Sequence, residues 1–198
     1  MRIAILGWGS LLWETDTDRG RAFNEHRKKW CDDGPHLNLE FSRISKSRRN
    51  ALTLVLDYKN GVSCRVAYAL SSRRYWEDAV CDLRCREGTT LRNIAYHLPQ
   101  TGKEEWVNAH PDARNSVREW ARSKSIDAVV WTALGSNFEK LKKEAFSVDA
   151  AKRHVQSLDA EGKARAAEYI WRAPTSVNTP VRTALQLEPW FPKPLSND

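Results

Sequence analysis

Two short stretches hold the residue types that could do chemistry. In Leu83-Arg84-Cys85-Arg86-Glu87-Gly88, a glutamate stands where an amphipathic helix should stop. A carboxylate there faces the negative end of the helix dipole. Arg84 and Arg86 counter that, and removal from water would raise its pKa towards the range of a general base. A solvated helix-end glutamate with arginine neighbours has the same signature. In Ile3-Ala4-Ile5-Leu6-Gly7-Trp8-Gly9-Ser10-Leu11, an apolar run ends in two glycines around one aromatic, then a serine. Glycine reaches backbone angles that a Cβ forbids. A strand ending this way can present successive amide N–H groups, a nest suited to an anion or a carbonyl oxygen. A tight turn without a ligand reads identically.

Several chemistries are disfavoured. A dinucleotide fingerprint needs glycine three residues after the second glycine, where Leu12 stands. A nucleophile elbow needs glycine two residues after the serine, which is again Leu12, so Ser10 is a poor covalent nucleophile. His26, His36, His97, His110 and His154 show neither metal nor triad spacing. Cys31, Cys64, Cys81 and Cys85 form no Cys-x-x-Cys pair. The expectation is four reduced thiols, no metal and no cofactor. The N-terminus lacks a signal-peptide pattern, and no run approaches the roughly 18 apolar residues of a membrane span. A cytoplasmic protein with no membrane partner is expected. The net charge is +7, from 32 basic and 25 acidic residues, with the densest basic cluster at residues 43–49. No nucleic-acid signature accompanies it, so a dispersed basic surface is favoured over nucleic-acid binding.

The 198 residues favour one domain, 1–198, able to bury a core without disulfides or metal. After the opening strand, residues 14–36 are highly charged, with Phe23 and Trp30 seven apart and a breaker at Asp32-Asp33-Gly34-Pro35. Residues 37–44 alternate as a half-buried strand, with a gap at Arg43. Residues 51–57 and 62–70 read as two more strands around Asn60-Gly61, a hairpin signal, giving an antiparallel meander. Ser71 and Ser72 can cap a helix from about Arg73, whose buried face carries Trp76, Ala79, Val80 and Leu83. A strand at 93–98, a polar loop at 100–105, a helix at 111–124 and an apolar strand at 126–134 follow. Helices are expected at 138–145, at 148–158 capped by Ser147, and at 160–172 capped by Asp159. The C-terminal part, about 136–173, is thus helical, and the tail 175–198, with four prolines, is expected to be irregular. Of the nine tryptophans, Trp76, Trp106 and Trp131 are candidate pocket walls or core. The pattern reads as α+β with a mostly antiparallel sheet or small barrel.

Taken together, these stretches resemble the γ-glutamylcyclotransferase-like superfamily, in particular its bacterial branch. Leu6-Gly7-Trp8-Gly9-Ser10-Leu11-Leu12-Trp13 resembles the first-strand Tyr-Gly-Ser-Leu motif. Phe41-Ser42-Arg43-Ile44-Ser45 with Arg48 and Arg49 resembles the second strand region, and Val66-Ala67-Tyr68-Ala69-Leu70 the strand before the helix. Arg86-Glu87 resembles the pair that holds the family's catalytic glutamate, and later motifs extend the similarity to about residue 182. The resemblance implies a small, mostly antiparallel β-barrel with flanking helices and a pocket floored by the first-strand turn. It also implies a reaction. Glu87 takes a proton from the α-amine of a γ-glutamyl substrate, the amine attacks its own γ-carbonyl, and 5-oxoproline forms as the amine half leaves. Gly7, Trp8, Gly9, Ser10 and Leu11 would hold the substrate, with Arg43 or Arg49 supplying charge to a carboxylate. One residue departs from the pattern: Trp8 replaces the usual tyrosine and loses the phenol oxygen's acceptor role. That departure motivates a second reading, a binding or regulatory domain without catalysis. A third, nucleic-acid association, rests on charge alone. The amine half of the substrate and the oligomeric state stay open.

Overall fold

A computed structural model describes residues 1–15, 18–105 and 111–193. The strands are β1 (Ile3–Gly7), β2 (His36–Ser45), β3 (Ala51–Leu56), β4 (Val62–Arg65), β5 (Ala67–Ser71), β6 (Ile94–His97), β7 (Glu104–Glu105) and β8 (Ala128–Thr132). The helices are α1 (Arg21–His26), α2 (Trp76–Glu87), α3 (Pro111–Ser123), α4 (Phe138–Lys142), α5 (Val148–Gln156), α6 (Ala160–Arg172) and α7 (Pro180–Leu187). The chain is therefore mixed α+β. Among the described residues it has two sheets, and no helix is long and apolar enough to cross a membrane. It divides into two compact units, Met1–Leu37 with Arg65–Leu134, and Asn38–Cys64 with Gly135–Asp198.

The first unit is built on the sheet β5-β1-β8-β6-β7. β1 runs antiparallel to β5, with Ile3 opposite Ser71, and parallel to β8, with Ile3 opposite Ala128. Every residue of β1 and of β8 is buried, which explains why neither sequence alternates. Ala79, Val80 and Leu83 of α2 join Ile3, Ile5, Leu11 and Phe23 in one apolar cluster, as the helical spacing predicts. Trp131 is 1% exposed and belongs to the core, while Trp76 packs on Tyr96 with ring centroids 4.5 Å apart. Trp106 and His110 lie outside the described residues.

α2 starts at Trp76 rather than near Arg73. Ser71 stays in β5, and its hydroxyl accepts the Arg73 N–H at 3.1 Å, while the Arg73 guanidinium pairs with Asp82 at 2.8 and 2.9 Å. The expected strand at 62–70 is divided at Val66 into β4 and β5, which belong to different sheets. The Val66 N–H donates to Pro35 and its carbonyl accepts from Gly34, and a Cβ on Gly34 would lie 2.4 Å from that carbonyl oxygen.

The second unit holds the sheet β3-β2-β4 and the helices α4 to α7. β4 neighbours β2 rather than β3, so Asn60-Gly61 is not a hairpin turn between adjacent strands. The Asp57 carboxylate accepts the Lys59 and Asn60 N–H groups, and a Cβ on Gly61 would stand 2.8 Å from the Leu39 carbonyl oxygen. Only glycine lets the chain pass this close to β2 on its way between the two sides of that strand. The gap in alternation at Arg43 coincides with a register shift between Glu40 and Arg43, a bulge. α5 and α6 keep the expected caps, with Ser147 accepting from the Ala150 N–H and Asp159 from the Gly162 N–H. α4 stops at Lys142 because Lys143 turns left-handed at φ +61°.

The tail expected to be irregular contains α7. Thr179 caps it and Pro180 occupies its first turn, where a missing N–H costs nothing. β2 is also not half-buried at its centre, because Glu40 is 1% exposed. Its Oε1 accepts the Phe41 N–H and the Thr179 hydroxyl, each at 2.6 Å, and its Oε2 accepts the Val181 N–H at 3.3 Å. Burial outweighs these hydrogen bonds and pushes the Glu40 carboxyl up from 4.5 to about 7. Between those values the folded chain holds a proton that the unfolded chain has released. Stability from this group is complete below about pH 4.5 and falls as pH rises through about 7, by about 3 kcal/mol at most. Urea unfolding of wild type and Glu40→Gln across that window should therefore show wild type losing ground to the variant as pH rises. A constant difference would contradict this assignment.

Candidate functional site

The end of β1 shapes the site. Gly7 closes the strand, and a Cβ there would meet the Trp30 ring at 2.5 and 2.8 Å. Trp8 is extended and 7% exposed. Gly9 then turns left-handed at φ +69° and opens a single 3-10 turn, Gly9–Leu12. The Ser10 carbonyl accepts the Trp13 N–H at 3.3 Å and the Glu14 N–H at 2.9 Å. The two glycines thus have separate reasons: Gly7 admits an aromatic face, and Gly9 admits the backbone angle.

α2 meets this turn through Arg86, which is 8% exposed. Its Nη2 donates to the Ser10 carbonyl at 3.4 Å and to the Glu14 carbonyl at 2.9 Å, and lies 3.5 Å from the Glu14 carboxylate. Glu87, the last residue of α2, is half-buried. Gly88 closes the helix at φ +58°, with its N–H on the Cys85 carbonyl and the Thr89 N–H on the Arg84 carbonyl. Arg86 therefore fastens the helix end that carries Glu87 to the turn that follows β1. A carboxylate that faces such a turn can exchange a proton with a bound amine, and backbone N–H groups of a turn can face a developing oxyanion.

Family models, curated proteins and solved structures offer no match to the chain. The functional reading rests on the residues themselves.

Of the residues singled out in the sequence, Gly7, Trp8, Gly9, Ser10, Leu11 and Glu87 all belong to the first unit, and Leu11 lies in its apolar cluster. Arg43 and Arg49 belong to the second. There Arg43 is half-buried, burial lowers its pKa, and its Nη1 donates to the Gly135 carbonyl at 2.9 Å. Arg49 turns left-handed and pairs with Asp159 at 3.0 Å and Glu161 at 3.2 Å. Among the described residues no group of three His, Cys, Asp or Glu side chains could hold a metal ion.

Two neighbours of the site gave little sign in the sequence. The Arg27 guanidinium carbon lies 5.4 Å from the Trp30 ring centroid, and Trp30 covers Gly7. Their only signal is a cation three residues before an aromatic. A separate polar groove of about 660 Å³ runs between residues 33–36 and α3 and shares no residue with the turn. Trp120 Nε1 donates to the Asp33 carbonyl at its edge, and Lys124 pairs with the Asp33 carboxylate.

The contact between Gly7 and Trp30 can be tested by a double-mutant cycle. Gly7→Ala should cost about 1–3 kcal/mol in urea unfolding through overpacking. In a Trp30→Ala background the same change should cost less than half as much. Equal costs in both backgrounds would mean that the ring does not set the need for glycine.

Proposed function

We propose that the first unit carries an intramolecular cyclotransferase site that releases 5-oxoproline from a γ-glutamyl amine or peptide. The observation that carries the reading is the Arg86 bridge, which ties the end of α2, and with it Glu87, to the Gly9–Leu12 turn. The motif resemblance to the γ-glutamylcyclotransferase-like superfamily supports it. The small, mostly antiparallel barrel and the cytoplasmic setting that go with this resemblance are part of the same proposal.

In this reading Glu87 removes a proton from the substrate's α-ammonium group. The free amine attacks the γ-carbonyl carbon, and negative charge develops on the carbonyl oxygen. Backbone N–H groups of the turn around Trp8, Gly9, Ser10 and Leu11 face that oxygen. As the tetrahedral centre collapses, the bond to the leaving nitrogen breaks, Glu87 returns its proton to that nitrogen and takes the second proton of the ring nitrogen, which then passes to the departing amine or to water. The nucleophile belongs to the substrate, so the site needs no reactive serine or cysteine. Attack within one molecule leaves the protein mainly to hold the folded conformer.

The test is release of 5-oxoproline from a panel of γ-glutamyl dipeptides and γ-glutamylamines. Wild type should turn over at least one of them, and Glu87→Gln should lose about 10²- to 10⁴-fold in kcat while staying folded. Full activity in a folded Glu87→Gln protein would end this reading. Trp8 in place of tyrosine favours the second reading, a binding domain without turnover. It would show as ligand-dependent stabilisation with no 5-oxoproline from any panel member.

A further inference from the structure

A buried guanidinium is costly unless carbonyls, carboxylates or a ligand take up its N–H groups. Arg86 and Arg27 leave part of that requirement open. The Arg86 side chain is 6% exposed, and Nη2 serves the Ser10 and Glu14 carbonyls, but its Nε is buried and donates to nothing among the described residues. Arg27 is half-buried, and its Nη1 reaches the Lys28 carbonyl at 3.3 Å, while its Nε is likewise buried with no partner among the described residues. Among the described residues Arg86 has an ion pair, to Glu14 at 3.5 Å, and Arg27 has none.

The two cations flank one piece of chain. Arg27 stacks on Trp30, and the Trp30 ring lies against Gly7. Arg86 grips Ser10 and Glu14 beyond it. They are close enough to repel: burial first and Arg86 second lower the Arg27 pKa. Two guanidinium groups with spare donors, held beside a single paired carboxylate, form an environment that an oxyanion would complete. Arg27 lies over two rings, Phe23 at 6.0 Å and Trp30 at 5.4 Å, and makes one long hydrogen bond, which leaves its Nε open to such a group.

We propose that Arg27 and Arg86 form an anion subsite that takes one oxyanion group, a carboxylate or a phosphate, of a small molecule bound at the end of β1. The subsite deepens the cyclotransferase reading by giving that ligand a negative group, and it rests on that reading only for the rest of the ligand. Its binding is measurable without turnover.

The experiment is thermal melting of the full chain with inorganic phosphate and, separately, glutarate, each against chloride at equal ionic strength. At least one should raise Tm by about 3 °C or more over chloride. A response to phosphate alone identifies a phosphate-bearing ligand, one to glutarate alone a carboxylate, and one to both the shared chemistry. Arg27→Gln should lose most of the rise, and Arg165→Gln, at an exposed arginine paired with Glu168, should keep it. No rise in wild type, an unchanged rise in Arg27→Gln, or equal losses in the two variants would overturn the subsite. Phenylglyoxal labelling of wild type, mapped by mass spectrometry, tests the same point if Arg27→Gln does not fold. The stabilising anion should slow labelling of Arg27 about fivefold or more relative to Arg165, and equal rates would overturn the subsite. Anion-dependent stabilisation without 5-oxoproline release would remove the turnover reading and leave the subsite. Release without any anion effect would do the reverse.

Discussion

β1 is hydrogen-bonded along both edges and buried throughout, and the rest of the first unit follows from that constraint. A strand so enclosed has to leave the sheet through a turn that is itself largely buried. Trp8, Gly9, Ser10 and Leu11 all sit inside, so the turn's polar groups need partners from the protein. The turn supplies some of them, because the Ser10 carbonyl takes two backbone N–H groups. Arg86 supplies the others from α2. Its depth in the core thus has a structural cause: it is the donor that the exit of β1 demands, delivered by the helix packed on the same apolar cluster. Glu87 follows it as the last residue of the same helix.

The second unit solves a comparable problem with an acid. β2 is the central strand of its sheet, and Glu40 points from it into a buried region at the start of α7. A helix start needs acceptors for its first N–H groups, and a carboxylate is also favoured there by the dipole. Thr179 does two jobs, capping the helix and donating its hydroxyl to Glu40. Arg182, on the same helix, gives its guanidinium to the carbonyls of Pro174, Val177 and Ala173. These bonds fold the segment before α7 back on the helix, so a proline-rich tail becomes ordered.

What was legible in the sequence was local. Uniform apolar runs gave β1 and β8, the spacing of Ala79, Val80 and Leu83 gave the buried face of α2, and Ser147 and Asp159 marked where α5 and α6 begin. Each of these signals lies within a few residues of its effect. Missed features depend on distant chain. Nothing within residues 62–70 shows that Gly34 will hold Val66 and divide the run between sheets. Asn60-Gly61 carries the sequence of a hairpin, but the strand waiting beside β4 is β2. α7 has a local signal, Thr179 before Pro180, inside a tail whose four prolines read as irregular. For the site, Glu87 and the two glycines were visible because helix ends and left-handed turns select for residue type. Arg27 and Trp30 were not, since stacking of a cation on a ring that covers a glycine leaves no fixed spacing to read.

Buried charges in the two units differ in one respect that bears on function. Glu40 receives three donors and Arg182 reaches three carbonyls, all from their own unit. Polar groups met this fully are accounted for by folding alone. Arg86 is only partly accounted for in that way, since two carbonyls and Glu14 leave its Nε with no partner among the described residues, and the Nε of Arg27 is in the same position. Apolar side chains of similar volume would remove the cost of two like charges held close together, and often do so without loss of stability. A turn that needed only a donor for Ser10 and Glu14 has no use for a second guanidinium, stacked on the Phe23 and Trp30 rings. The excess of donors at this end of the first unit is therefore better explained by something that binds there than by the requirements of the fold.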